Sequence, residues 1–151
     1  MEKPTTVASV DTEVIPRFTI DLPKGWVDQT AYLFAGPEEG GMHHQIVLMI
    51  DRNPQFDDAH SFGRDRVDQL SIDLPDMEVV KEEMKEYSAG EGYDVVFRWQ
   101  QSDDRVVFRK FVYFVLGGIA YTFSVDFSKR TRKTVGLEVE RIINSFTPID
   151  R

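Results

Sequence analysis

The sequence contains no cysteine. This absence excludes disulfide bonds, zinc thiolate sites, cysteine nucleophiles and the lipid-bearing cysteine of a lipoprotein. Long apolar runs are also missing: no stretch of about 18 apolar residues occurs, so the sequence predicts no membrane-spanning helix. Residues 1–16 mix charged side chains with scattered apolar ones and lack the apolar core of a secretory signal. We therefore expect a protein of the cytoplasm.

Basic residues are outnumbered by acidic ones. The chain has 18 Lys and Arg against 26 Asp and Glu, and its formal net charge is -8. A negative charge of this size repels phosphate backbones and anionic lipid headgroups. We expect neither a nucleic-acid partner nor stable insertion into a membrane.

The sequence contains no recognisable pattern of catalytic or metal-binding residues. His43 and His44 are neighbours, and neighbouring residues on a strand point to opposite faces, so this pair is a poor chelating set. Glu82, Glu83 and Glu86 alternate with lysines, which is typical of a solvated strand. None of the glycine clusters precedes a predicted helix, as a phosphate-binding loop must. We expect a protein that is not an enzyme, with no catalytic residue, metal ligand or cofactor.

The length of 151 residues fits one domain, and 41% hydrophobic residues are enough to build a core. We interpret residues 1–16 as a flexible N-terminal extension and residues 17–151 as a single domain. Alternating apolar and polar residues dominate this domain and predict strands. The predicted strands are 17–22, 30–35, 45–51, 77–88, 93–101, 105–116 and 119–127. Short glycine-rich or aspartate-rich turns between them, including one at Gly90-Glu91-Gly92, predict antiparallel pairing.

Two segments have helical periodicity. The first, residues 59–72, follows the candidate N-caps Asp57 and Asp58 and is stopped by Pro75. The second, residues 131–145, carries an apolar stripe that would pack on a sheet. The stripe consists of Val135, Val139, Ile142, Ile143 and Phe146. The predicted fold class is α+β, an antiparallel sheet of about seven strands with two main helices.

Two predicted strands are apolar on both faces. Residues 105–116 and 45–51 carry apolar side chains at odd and even positions alike, whereas a sheet with one wet face is polar at alternate positions. Two short helices cover only part of a seven-stranded sheet, so some apolar surface needs another partner. Three partners could cover this apolar surface. They are the N-terminal segment, a second copy in a symmetric dimer, and an apolar peptide or helix bound in a groove.

Several short motifs occur in a fixed order between residues 18 and 146. They are Leu22-Pro23, Gly25-Trp26 and Asp28-Gln29-Thr30 before a strand, Leu74-Pro75 after the first helix, and Phe97-Arg98-Trp99-Gln100 ahead of residues 106–111. In this order they resemble the DcrB-related Eag family. These proteins are the effector-associated chaperones of bacterial type VI secretion, and the resemblance implies a PsbP-like α/β/α sandwich.

The same resemblance implies a function. It is that of a cytoplasmic, usually homodimeric chaperone, without catalytic activity or cofactor, that shields the N-terminal transmembrane helices of a secreted effector. It places Ala31 and Leu33 in the client groove. Two groove glutamines of the family fall by position on Arg66 and Lys110, which are basic here and would donate charge-assisted hydrogen bonds to client carbonyls. The complete predicted client-binding set is Ala31, Leu33, Val47, Met49, Arg66, Leu70, Val106, Phe108 and Lys110.

Two further hypotheses stay open. One is a PsbP-like scaffold that docks a folded protein partner rather than an apolar segment. The other is a small enzyme that uses a glutamate or histidine. A neighbouring coding sequence with an apolar N-terminal segment distinguishes the chaperone from the scaffold, and a cleft with strongly perturbed carboxylates would favour the enzyme.

Overall fold

The structure is a computed structural model that describes residues 19–26, 29–102 and 105–149. The expected N-terminal extension, residues 1–16, lies outside these ranges. Six strands and two helices occur in the described residues. They are β1 (Thr30–Glu39), β2 (Met42–Asp51), α1 (Ala59–Asp73), β3 (Glu78–Tyr87), β4 (Gly90–Ser102), β5 (Arg105–Leu116), β6 (Ile119–Ser128) and α2 (Val135–Asn144).

The six strands form one antiparallel sheet in the order β1-β2-β6-β5-β4-β3. A hairpin joins β1 to β2, and α1 then carries the chain to the far edge, from which β3 to β6 return by successive hairpins. The α+β class and the antiparallel pairing are confirmed. The strand predicted at 17–22 is wrong for residues 19–22, which are not in a strand. Residues 17 and 18 lie outside the described ranges. Alternation alone does not make a strand, because its backbone groups need a neighbouring strand to pair with.

Two hairpin turns differ from the sequence expectation. Gly40 and Gly41 have φ values of 59° and 75°, so the left-handed turn sits on these two residues and β1 continues to Glu39 instead of ending at residue 35. The turn predicted at Gly90-Glu91-Gly92 lies two residues earlier, at 88–89, and Gly90 already pairs with Tyr87 in the sheet. Both strands are therefore longer than their apolar runs.

Helix α1 lies on one face of the sheet, over β4 and β5. Asp58 caps its N-terminus, as predicted, by accepting a hydrogen bond of 2.7 Å from the Ser61 backbone N–H. Phe62 packs edge to face against Tyr113. Gly63 faces the rings of Tyr93 and Tyr113, which leave no room for a Cβ atom. The missing side chain thus permits the close approach of helix and sheet.

Helix α2 lies on the opposite face. It begins at Val135, four residues later than predicted, because residues 129–134 form turns that hydrogen-bond to one another. Val139 and Ile143 are buried against the sheet, and Phe146 contacts Phe114. The predicted apolar stripe is therefore the packed face except at Ile142, which is 45% exposed, and one helix covers each side of the sheet.

The two edge strands differ in charge. β3 carries lysines and glutamates along its length, and the first eight residues of β1 carry no charge. Charged side chains on an edge strand disfavour pairing with another sheet. Only one of the two edges has this protection.

Candidate functional site

A cleft of about 450 Å³ opens between α1 and the half of the sheet that α1 leaves uncovered. Its lining mixes apolar and polar side chains. The lining residues are Gln29, Met49, Ile50, Asp51, Phe62, Arg66, Gln69, Leu70, Asp73, Phe111, Tyr113 and Thr122. Since these residues come from α1, β2, β5, β6 and the segment before β1, the cleft depends on the tertiary fold.

The floor of the cleft continues outward to the edge strand β1. Strand register places Leu33 beside Val47 and Ala31 beside Met49, all on the face that carries α1. Leu33 is 58% exposed and Met49 is 46% exposed. Exposed apolar side chains that adjoin each other in this way form a contiguous apolar strip, which is typical of an interaction site.

Small polar residues lie in the middle of the floor. Ser124 pairs with Val47 on one side and with Phe111 on the other, and Thr122 sits between Met49 and Tyr113. Their short side chains allow a ligand backbone to approach the sheet. Their hydroxyl groups also supply hydrogen bonds where the surroundings are apolar.

Arg66 forms the α1 wall of the cleft. Its guanidinium group lies 4.4 Å from the centre of the Phe62 ring, 3.0 Å from the Asp65 carboxylate and 3.4 Å from the Asp51 carboxylate. The group is partly exposed, so these ion pairs are weak in water. Arg66 can therefore turn one N–H toward a ligand carbonyl without a large loss.

A second ion pair bounds the floor at its other end. Arg109 donates to both carboxylate oxygens of Asp126, at 2.6 and 3.0 Å, and its guanidinium group lies 4.8 Å from the centre of the Trp99 ring. The pKa of Arg109 is raised by the hydrogen bonds to Asp126. The apolar strip thus has a charged boundary at each end.

The structure brings together six of the nine predicted client-binding residues. Ala31, Leu33, Val47 and Met49 form the strip, and Arg66 and Leu70 line the helix wall.

The remaining three residues, Val106, Phe108 and Lys110, lie on the opposite face. Phe108 pairs with Phe127 and Lys110 pairs with Val125, on the face that α2 covers. The cleft therefore does not contain them. The sequence could not show this difference, because the relative side-chain parity of separate strands depends on register.

Lys110 belongs to a buried charge cluster under α2. Its Nζ atom lies 3.1 Å from Asp94 and 3.2 Å from Glu140, and Glu140 also pairs with Lys85 at 2.7 Å. Burial alone would raise the pKa of Glu140, but the hydrogen bond from Lys85 and the charge of Lys110 hold it below its ordinary value. Tyr87 donates a hydrogen bond of 2.8 Å to Asp94, and burial together with that carboxylate raises the pKa of Tyr87.

The histidine pair lies within β2 and points to its opposite sides, whereas the strand predicted from the sequence began only at Gln45. His43 is exposed, whereas His44 is buried with its Nε2 atom 2.9 Å from Oγ1 of Thr131. Within the described residues, no group of three or more His, Asp or Glu side chains is arranged to hold a metal ion. Glu82 accepts hydrogen bonds from Tyr93 and Arg64, and these hold its pKa below the ordinary value.

Sequence reasoning missed several cleft residues. Gln69 lies one turn from Arg66 on α1, and Phe111 and Thr122 contribute to the floor. The helical spacing of Arg66, Gln69 and Leu70 was a usable signal for Gln69. No sequence signal pointed to Thr122, because only the pairing of β6 with β2 brings it into the cleft.

In the described part of the chain, no helix is long and apolar enough to cross a bilayer. No protein-family model matches the sequence, and no curated protein matches it. Solved structures do share its fold. A Pseudomonas aeruginosa protein of unknown function, described as a candidate regulator, aligns with a TM-score of 0.70 at 13% identity over 86% of this chain and 90% of that chain. The cyanobacterial PsbP (CyanoP) of Synechocystis aligns with a TM-score of 0.52 at 12% identity over 83% of this chain and 95% of that chain. These likenesses establish the fold alone, and on that ground the chain has a PsbP-like fold.

Proposed function

We propose that the protein is a non-catalytic cytoplasmic chaperone of the DcrB-related Eag type, whose cleft shields a transmembrane segment of a type VI secretion effector. The observation that carries this proposal is the apolar strip of Ala31, Leu33, Val47 and Met49 beside α1, in which Leu33 and Met49 are exposed. The motif order in the sequence supports the same conclusion.

The chemistry of the cleft suits an apolar helix. A transmembrane helix in water exposes about 20 apolar residues, and covering them is favourable in proportion to the area removed from water. Leu33 and Met49 offer apolar contact, and Ser124 and Thr122 leave space for a close helix approach. Arg66 stands at the wall as a hydrogen-bond donor for a client carbonyl.

The dimensions of the floor favour a homodimer as the working unit. From β1 to β5 the floor crosses three strand spacings, roughly 14 Å in all. A helix that spans a membrane is about 30 Å long. One cleft therefore covers about half of such a helix, and two copies cover its length.

A second candidate is a scaffold that docks a folded protein partner. The ion pairs Arg66–Asp51 and Arg109–Asp126 at the ends of the apolar strip favour it, since an apolar centre with a polar rim is the usual anatomy of a protein interface. The scaffold binds a folded surface and leaves an isolated apolar helix to aggregate. The chaperone binds the isolated apolar helix and keeps it from aggregating.

The distinguishing experiment uses a fluorescent designed helix of about 20 leucines and alanines, the length that spans a bilayer. After mixing and centrifugation, the wild-type protein should keep the peptide in the supernatant. Leu33→Asp should lose this ability, because peptide binding would bury an unpaired carboxylate. Leu137→Asp on α2 is the matched control, since Leu137 is 62% exposed and Leu33 is 58% exposed.

The melting temperatures of both variants should stay near that of the wild type, because both side chains are exposed in one molecule, and light scattering should show the wild-type oligomeric state for both. If both variants lose peptide retention equally, or if Leu33→Asp still retains the peptide, the apolar strip is not the binding site. Failure of the wild type to retain the peptide, combined with tight binding of a folded partner, supports the scaffold instead.

A further inference from the structure

The connection between β6 and α2 concentrates positive charge in an acidic protein. Four of its six residues are basic, and we call this segment, residues 129–134, the basic loop. The four cations are Lys129, Arg130, Arg132 and Lys133. All four are exposed, and within the described ranges none of them forms an ion pair.

Most cations of the strands and helices, in contrast, form an ion pair. Arg64, Arg98 and Lys85, among others, each contact a carboxylate within 4 Å. Cations elsewhere thus largely neutralise the protein's own acids. Those of the basic loop are left for an external anion.

A buried residue holds the basic loop in one shape. Thr131 is 1% exposed; its Oγ1 accepts a hydrogen bond of 3.0 Å from the Ser128 backbone N–H and lies 2.9 Å from Nε2 of His44. Its carbonyl oxygen accepts bonds from the backbone N–H groups of Thr134 and Gly136. Thr131 points inward and its hydrogen bonds hold the backbone of the basic loop, so the basic residues on both sides of it face solvent.

Each side of the basic loop borders a cleft. Lys129 and Arg130 line a cleft of about 500 Å³ together with Arg105. Arg132 and Lys133 line one of about 220 Å³. The two clefts share no lining residue, so the cations of the basic loop are divided between two separate concave surfaces.

The carboxylates in these clefts are already neutralised. Asp126 is held by Arg109 in the larger cleft, and Glu140 is held by Lys85 and Lys110 in the smaller one. Arg132 lies over the Phe108 ring, with 4.1 Å between its guanidinium carbon and the ring centre. This stacking contact leaves the N–H donors at its edge able to bind a carboxylate.

We infer that the basic loop is a second interaction site, which binds an extended acidic peptide segment of a protein partner. Cations that are divided between two clefts are more than a single small anion can contact at once. The net charge of -8 opposes approach to a nucleic acid or an anionic bilayer as a whole, whereas a short acidic segment meets mainly the local positive charge. The concave surface also suits a peptide better than a flat membrane.

The test measures binding of a fluorescent peptide of about 12 residues, with glutamate and glycine alternating, by anisotropy. Affinity should fall steeply between about 0.01 M and about 1 M salt, as the screening length drops from about 30 Å to about 3 Å. The double variant Arg130→Gln with Lys133→Gln should bind about tenfold more weakly, because two exposed cationic contacts to the peptide are removed. A peptide with glutamine in place of glutamate should not bind.

The matched control is Lys24→Gln with Arg141→Gln, which removes the same charge at exposed positions that make no ion pair among the described residues. Equal weakening in the two double variants reduces the effect to net charge and overturns the proposal. Binding of phosphatidylserine vesicles, but not of the peptide, through Arg130 and Lys133 would assign the site to a membrane surface instead.

This site is independent of the apolar cleft. Leu33→Asp should leave binding of the acidic peptide unchanged, because Leu33 lines neither basic cleft. The chaperone proposal and the acidic-peptide proposal can therefore fail independently of each other.

Discussion

Nζ of Lys110 lies 3.1 Å from Oδ2 of Asp94, and this ion pair joins β5 to β4 beneath α2. The Asp94 side chain is 1% exposed and that of Lys110 is 14% exposed. A charge pair so deep in the fold is a structural element. Lys110 is consequently explained by the core of this protein without a client.

Replacing Lys110 with methionine should destabilise the fold strongly. The change Lys110→Met leaves the Asp94 carboxylate buried without its cation, and such a loss costs about 3 to 5 kcal/mol. The hydrogen bond from Tyr87 remains, so we expect the lower end of that range. Urea denaturation measures the effect.

The double variant Lys110→Met with Asp94→Asn is the control for that experiment. It removes both charges and should recover most of the lost free energy of unfolding. An unchanged urea midpoint in Lys110→Met alone would contradict the burial of the pair.

Gly63 should not tolerate alanine. A Cβ atom at this position meets the rings of Tyr93 and Tyr113, both buried, so Gly63→Ala pushes α1 away from the sheet. Overpacking of this kind costs about 3 kcal/mol, which exceeds the gain of about 1 kcal/mol from the helix propensity of alanine.

Gly136→Ala in α2 is the matched change. The added Cβ atom has no neighbour within 4 Å, so only the propensity gain applies and the melting temperature should rise. A fall in the melting temperature of Gly136→Ala would contradict the open space at that position, and an unchanged melting temperature of Gly63→Ala would contradict the close packing of α1 on the sheet.

Acidification should destabilise the protein through Glu82 and Glu140. Both have pKa values below the ordinary 4.5, Glu82 chiefly because of the hydrogen bond from Tyr93 and Glu140 because its two lysines outweigh burial. A carboxyl group with a lowered folded pKa contributes stability above the unfolded value, and this contribution is lost as pH falls through the folded value. The melting temperature should therefore drop below about pH 4.5.

Glu140→Gln should lower the melting temperature at neutral pH. On acidification, its melting temperature should fall less steeply than that of the wild type. Glu86→Gln, on the exposed edge strand, serves as the control and should leave both nearly unchanged. A profile with the same slope in wild type and Glu140→Gln would rule out Glu140 as a source of the pH dependence.

The protein should form a homodimer that depends on β1. Phe34 is 54% exposed on this uncharged edge, and Phe34→Lys puts a charge where another strand would pair. Light scattering should show a dimer for the wild type and a monomer for this variant. Val80→Lys on the opposite edge should remain dimeric, and a wild type that is monomeric at micromolar concentration would contradict the expectation.

Local features of the fold could be predicted from the sequence. The Asp58 cap, the apolar stripe of α2 and the antiparallel hairpins depend on short-range spacing, and the structure has them. The strand predicted at 17–22 is absent from residues 19–22, because alternation indicates a strand only if another strand lies beside it.

The site was predictable only in part. Ala31 and Leu33 alternate within one strand, so their shared face followed from the sequence. Phe108 and Lys110 were assigned to the same surface, yet register places them on the other side of the sheet. Pairing between strands that are distant in the sequence decides this relationship, and one sequence does not encode it in any local pattern.

The unequal charge of the two edge strands limits how far this sheet can grow. If two copies join through β1, both outer edges of the combined twelve-stranded sheet are β3, each lined with lysine and glutamate. A third copy then finds no open strand to extend. Edge pairing of this kind would end at two molecules, which disfavours growth of the sheet into fibres.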